Sequence, residues 1–72
     1  VKKPLFNKGE SVFYYNKWNN EIEKGEITNT RDSKYNWDYN IRYEIYNNLL
    51  YYHWIEEKYI SRDDQVLFAF LK

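Results

Sequence analysis

Sixteen of the 72 residues are aromatic (nine tyrosines, four phenylalanines and three tryptophans), and there is not one cysteine. That combination constrains the chain more than any other feature. Without cysteine there is no disulfide framework, no thiol nucleophile and no cysteine-based zinc site, so folding must rest on packing. A core this small yields only about 3–5 kcal/mol net. The large rings, each able to bury on the order of 150–250 Å², must therefore supply most of it. They are also too numerous to fit inside one small barrel, so some must be exposed or line a concave site. Disorder is disfavoured because disordered segments are poor in aromatics.

The length allows one domain. Eleven basic residues balance eleven acidic ones, which weakens the case for tight phosphate-backbone binding. No apolar run approaches the roughly 18–20 residues needed to span a bilayer, so no membrane span is expected. The start, Val1 to Phe6, is basic but lacks an apolar h-region, so no signal peptide is expected.

Pro4, Gly9 and Gly25 are the only Pro and Gly residues, which leaves asparagine to make most of the turns. The polar breaks are 16–20, 46–48 and the longest, Thr30 to Asp38. Between them the apolar period is two. Ser11 to Tyr15 reads as a strand, and Tyr39, Ile41, Tyr43 and Ile45 alternate with Asn40, Arg42 and Glu44. Ile22 and Ile27 lie an odd distance apart, which predicts a bulge at Gly25. Leu49 to Ile55 is a continuous aromatic strand, and Tyr59-Ile60 a short last one.

At Ser61 the pattern changes. A hydroxyl N-cap and the Asp63-Asp64 pair precede Val66, Leu67, Phe70 and Leu71 at helical spacing. This predicts a helix over 62–71, with a final strand as the alternative because Phe68-Ala69-Phe70 also alternates. The expected fold is mainly β: a small SH3-like barrel of four to five antiparallel strands over 6–60, closed by a short C-terminal helix.

Catalytic patterns are weak. His53 is the one imidazole and sits in an aromatic strand beside Trp54, where a structural or surface role is expected. Neighbouring residues of Glu56-Glu57 and Asp63-Asp64 point in different directions, so neither pair makes a shared acid/base site. The glycines are isolated and form no phosphate loop. The chain is expected to be no enzyme and to need no cofactor or metal.

The aromatics suggest a different use. Tyr43, Tyr46, Tyr51 and Trp54 flank the Asn47-Asn48 turn. Ring faces converging at a barrel mouth attract an alkylated ammonium, each contact contributing about 0.5–1 kcal/mol when exposed.

The segment Phe6-Asn7-Lys8-Gly9-Glu10-Ser11-Val12 resembles the opening F-x-x-G-E-x-V of chromo barrel domains, the SH3-like readers of MRG-family proteins and MYST acetyltransferases. Tyr39 to Tyr43 is similar to their Y-[FY]-[IV]-H-Y strand, Tyr46-Asn47 to the following [WFY]-N, and Trp54-Ile55 to the closing W-V. The resemblance implies a chromatin module in the nucleus that reads a methylated lysine on a histone H3 or H4 tail with weak affinity. Its parent would be a histone acetyltransferase or a subunit of a chromatin-modifying complex. It implies a cage of Tyr43, Tyr46 and Tyr51, completed from the first loop by Trp18 or Tyr15, with Trp54 as structural support. The chain departs from the pattern at Ile45, where the family has glycine, and at Tyr52-His53, where it has an acidic pair. One residue is also inserted between Asn47 and Trp54. Two alternatives stand beside this reading: a nucleic-acid-binding barrel, using Lys2, Lys3, Lys8, Lys17 and Lys34, and a degenerate barrel that docks other proteins.

Overall fold

The computed structural model describes residues 3–32, 40–48 and 50–72, without the His53 side chain. The strands are β1 (Ser11–Asn16), β2 (Glu21–Arg31), β3 (Arg42–Asn47), β4 (Leu50–Glu56) and β5 (Ile60–Ser61), with a 3₁₀ turn at Glu57–Tyr59 and a C-terminal 3₁₀ helix at Asp64–Phe70. All described pairings are antiparallel, in the order β4-β3-β2-β1-β5. Consecutive strands pair from β1 to β4, and β5 then returns after the 3₁₀ turn to the free side of β1. That is an SH3-like barrel, mainly β, with a short helix at its end.

β2 makes the curvature. Its first half pairs with β1 and its second with β3, sharing Glu26 between them. The register shift falls between Ile27 and Asn29, not at Gly25 as the isoleucine spacing predicts. There the Thr28 hydroxyl reaches the Glu44 carboxylate at 2.7 Å. Gly25 serves a different need, the close crossing of β3. A Cβ at this position would lie 2.5 Å from Ile45 Cγ2 and 2.7 Å from the Tyr46 carbonyl oxygen.

Asparagine serves the β1–β2 and β3–β4 turns: Asn20 and Asn48 have φ of 57° and 55°, the left-handed region that asparagine tolerates. The polar break at 46–48 is narrower than its composition suggests, since β3 runs through Asn47. Of the long break, β2 takes Thr30 and Arg31, and 33–38 lies outside the described residues. Tyr39 and Leu49, expected to begin strands, also lie outside them.

Phe6, Val12, Tyr14, Ile27, Ile41, Tyr43, Ile45, Ile55 and Ile60 form the core, with Tyr52 and Tyr59 packed against it. Two phenols cross it toward opposite ends of β3. Tyr14 Oη donates to Glu23 at 3.1 Å and accepts from Asn47 at 3.1 Å. Tyr43 Oη donates to Glu57 at 2.5 Å and accepts from the Leu5 amide at 3.1 Å. Outside this core, Arg62 bonds Glu10 and the Leu5 carbonyl and lies 4.8 Å over the Phe6 ring. Its guanidinium holds the Glu10 carboxyl below the usual carboxylate range.

The C-terminal helix is 3₁₀, and its N-cap is Asp63, whose carboxylate accepts from the Gln65 amide, rather than Ser61. Three residues per turn put Asp64, Leu67 and Phe70 on one face. Leu67 is therefore fully buried and Phe70 half-buried, while Val66 and Leu71, which an α-helix would bring to the same face, are exposed.

Gly25→Ala is expected to lower stability by about 1–3 kcal/mol, because a backbone carbonyl of β3 cannot yield as a side chain can. The measurement is a urea midpoint that falls at constant m-value; an unchanged midpoint would show that β3 is free to move away.

Candidate functional site: an aromatic cleft beside the first hairpin

β1 and the turn after it build one wall of the cleft. Asn16, at the end of β1, donates to Glu23 at 2.9 Å and accepts from the Trp18 amide at 3.0 Å. This asparagine-led turn projects Trp18 into solvent, where it is 69% exposed. Tyr15, on the opposite face of β1 from the core residue Tyr14, is only 6% exposed and also lines the cleft. The other wall comes from the end of β4 and the 3₁₀ turn. Between the walls is a cleft of about 200 Å³ lined by Tyr15, Lys17, Trp18, Arg42, Trp54, Ile55, Glu56 and Tyr59.

Trp54 reaches this place through a bulge. Across β3 and β4, Ile45 faces Tyr52 and Tyr43 faces Ile55, so β4 carries one more residue than β3 over that stretch. Trp54 takes up the difference with φ of 60°, a conformation bulky side chains rarely adopt. A bulge re-aims a side chain, and here the re-aimed indole becomes a cleft wall. Trp54, expected to be structural support, is half-buried and outside the core cluster.

The rings already carry cations. Arg31 lies 5.2 Å over Trp54, Lys17 5.5 Å over Trp18 and Lys58 5.1 Å over Tyr59. The Glu56 carboxylate is bound between Arg42 at 3.3 Å and Lys58 at 3.5 Å. Among the described residues, the cleft lining sets Lys17 and Arg42 against Glu56.

The residues expected to form one cage separate into three places. Tyr43 is fully buried with its hydroxyl engaged, so it presents no ring face to a ligand. Tyr46 and Tyr51 are directly opposed across β3 and β4, with ring centroids 4.8 Å apart, and Tyr46 Oη donates to the Asn48 carbonyl. Trp18 and Tyr15 join Trp54 in the cleft. The cause is strand parity: Tyr43 and Tyr46 are three apart on one strand, so one points inward and the other outward. Tyr59 is the cleft ring that sequence reasoning missed, and Arg31, which lies over Trp54 without lining the cleft, was missed as well. Tyr59 lies in the 3₁₀ turn rather than in the last strand, which is Ile60–Ser61.

Two other depressions, of about 270 and 360 Å³, offer no comparable grouping of rings. The smaller is lined by Leu5, Asn40, Ile41, Glu56, Glu57 and Lys58, and the larger contains Tyr46 as its single ring. Among the described residues no three His, Cys, Asp or Glu side chains gather as a metal site requires, and no helix is long and apolar enough to cross a membrane. Lys3, Lys8 and Lys17 are exposed, while Lys2 and Lys34 lie outside the described residues.

Burial pushes the Tyr14 and Tyr43 phenols well above their ordinary range, and for Tyr43 the adjacent Glu57 carboxylate adds to the effect. The folded state keeps protons that the unfolded chain loses near pH 10. Stability is therefore retained below about pH 10 and falls as pH rises further, by up to about 1.4 kcal/mol per pH unit for each tyrosine held neutral. Tyr43→Phe should cost about 1–3 kcal/mol at neutral pH by taking the phenol acceptor from the buried Phe6 amide and the phenol donor from Glu57, and should flatten the alkaline decline. Urea titrations across that range test both; a variant as alkali-sensitive as the parent would remove Tyr43 from the account. Comparison with models of protein families, with curated proteins and with solved structures gives no match to this chain.

Proposed function

We propose that this chain is a non-enzymatic binding module of SH3-like architecture, and that the cleft of Tyr15, Trp18, Trp54 and Tyr59 takes a segment of single-stranded nucleic acid. The observation that carries this choice is the set of cations lying on three of the four rings. A nucleobase that stacks on an indole contributes about 1–3 kcal/mol. It also frees Lys17 or Arg31 to meet a phosphate, so base and backbone are recognised together. A methylated lysine entering the same cleft exchanges one cation–π contact for another, each of about 0.5–1 kcal/mol when exposed, and gains little. With zero net charge on the whole chain, binding is weak, with a dissociation constant of about 10⁻⁴ M or higher at physiological salt.

The second reading is the histone reader, with the nuclear, chromatin-complex setting that the chromo barrel resemblance implies. Glu56 favours it, because a carboxylate among aromatic walls suits an alkylated ammonium. The exposed Trp18 ring, with one face turned from Lys17, is where such a group would settle.

Titration of the isotope-labelled chain separates the two readings. A ten-residue oligothymidine should shift the Trp18 and Trp54 indole resonances, with affinity falling as salt rises. Trp18→Ala should keep the fold and weaken binding about tenfold, the worth of one stacked base. A trimethyllysine H3 or H4 peptide that moves these resonances more than its unmodified form, with no response to the oligonucleotide, would establish the reader instead. Silence toward both would sink both and leave a surface for docking another protein.

A further inference from the structure

Behind the cleft, Tyr15 and Tyr59 share a third ring. Phe70 stacks on Tyr15 at 5.6 Å and 18° and meets Tyr59 edge-on at 5.0 Å, while Tyr15 and Tyr59 are 5.9 Å apart. Each ring touches the other two. Phe70 comes from the last turn of the C-terminal 3₁₀ helix, which at seven residues is long for its kind. Such helices have poorer hydrogen-bond geometry than α-helices, and runs beyond three or four residues are uncommon. Its hold on the barrel is narrow: Leu67 is its one buried residue, and Val66 and Phe68 are exposed.

Past Phe70, the Asn20 side chain holds Lys72. Asn20 Nδ2 donates to the Lys72 carbonyl at 3.2 Å, and the Lys72 amide donates to Asn20 Oδ1 at 3.0 Å. The same oxygen accepts from Tyr15 Oη at 3.0 Å. Asn20 belongs to the turn that carries Trp18, so one amide group joins the helix end, a cleft wall and the exposed indole turn.

We infer that the C-terminal 3₁₀ helix is a releasable strap, an autoinhibitory contact in which Phe70 occupies the ring site on Tyr15 and Tyr59 that an aromatic side chain of a partner protein would otherwise take. Seating there requires the strap to open, and opening breaks the Asn20 clamp. Leu67 anchors the near end and Asn20 the far end, so release begins at the Asn20 end. The strap does not depend on which ligand the cleft takes, and its test uses no nucleic acid or histone peptide.

Native-state hydrogen exchange on the full chain and on Asn20→Ala provides that test. In the parent, the Leu71 amide, which bonds the Phe68 carbonyl, and the Lys72 amide should exchange through a local opening. The Ile27 and Ile45 amides should exchange only on global unfolding. Asn20→Ala should speed exchange at Leu71 by about tenfold, the expectation for two ordinary hydrogen bonds lost, and by more than it speeds the sheet amides, which report only the strain of alanine at a left-handed position. A companion variant, Phe70→Ala, should let N-acetylphenylalaninamide shift the Tyr15 and Tyr59 ring resonances, which it should not do in the parent. Uniform protection of helix and sheet, or an Asn20→Ala helix that exchanges as the parent's does, overturns the strap. A folded Phe70→Ala chain that ignores the probe overturns the ring site. If Phe70→Ala does not fold, the probe is applied to Asn20→Ala, where an opened strap should admit it and failure to do so also overturns the ring site.

Discussion

A phenol can be taken out of water only where its hydroxyl finds a partner, and the whole arrangement depends on how two tyrosines meet that condition. Tyr14 and Tyr43 are fully buried and supply much of the volume of the core. Their hydroxyls end at opposite ends of β3, one between Glu23 and Asn47, the other between Glu57 and the Leu5 amide. Each therefore ties together elements that the hairpin ladder does not join. Tyr14 links β1 and β2 to the last residue of β3. Tyr43 links β3 to the 3₁₀ turn and the N-terminal segment. In a chain without disulfides, these polar ends hold the barrel at both rims. Among the described residues, no buried side-chain polar atom lacks a partner.

Strand parity then distributes the remaining aromatics. Once Tyr43 and Ile45 face inward, Tyr46 must face outward and meets Tyr51 on the partner strand. Once Tyr14 faces inward, Tyr15 must turn to the other side of β1, where Phe70 and Tyr59 cover it. Adjacent tyrosines thus serve separate compartments, one in the barrel and one under the C-terminal helix.

Much of the barrel was legible because alternation is a local signal. Val12 against Phe13, and Tyr43 and Ile45 against Glu44, reveal strand and face from the chain alone. The asparagine turns were legible for a similar reason, the shortage of glycine. What local pattern could not supply was the two-strand count at Trp54. An extra residue there becomes a bulge only because β3 has none to match it, and pairing is not written in either strand separately. The inserted residue noted between Asn47 and Trp54 was a trace of it, but did not say which way the indole would turn. The closing helix was readable as a helix, while its three-residue turn was not. Val66, Leu67, Phe70 and Leu71 suit an α-helix, and tertiary packing of Leu67 and Phe70 selects the tighter winding. Tyr59 was hidden for the same reason, being placed by a 3₁₀ turn that breaks the strand period.

The charge balance of the chain misleads if it is read only as a total. Eleven cations and eleven anions cancel, yet they are not mixed evenly over the surface. Glu10 is bound to Arg62, Glu23 to Tyr14 and Asn16, Glu44 to Thr28 and Glu57 to Tyr43. These carboxylates are spent on structure, as acceptors for hydroxyl, amide and guanidinium donors. Around the cleft, by contrast, Lys17, Arg31 and Lys58 rest on ring faces. Such contacts are weak and exposed, worth about 0.5–1 kcal/mol each, so a ligand can displace the cations at little cost. A neutral chain can in this way present a locally basic, aromatic surface, because several of its acids are committed to the fold while Lys17 and Arg31 lie on ring faces.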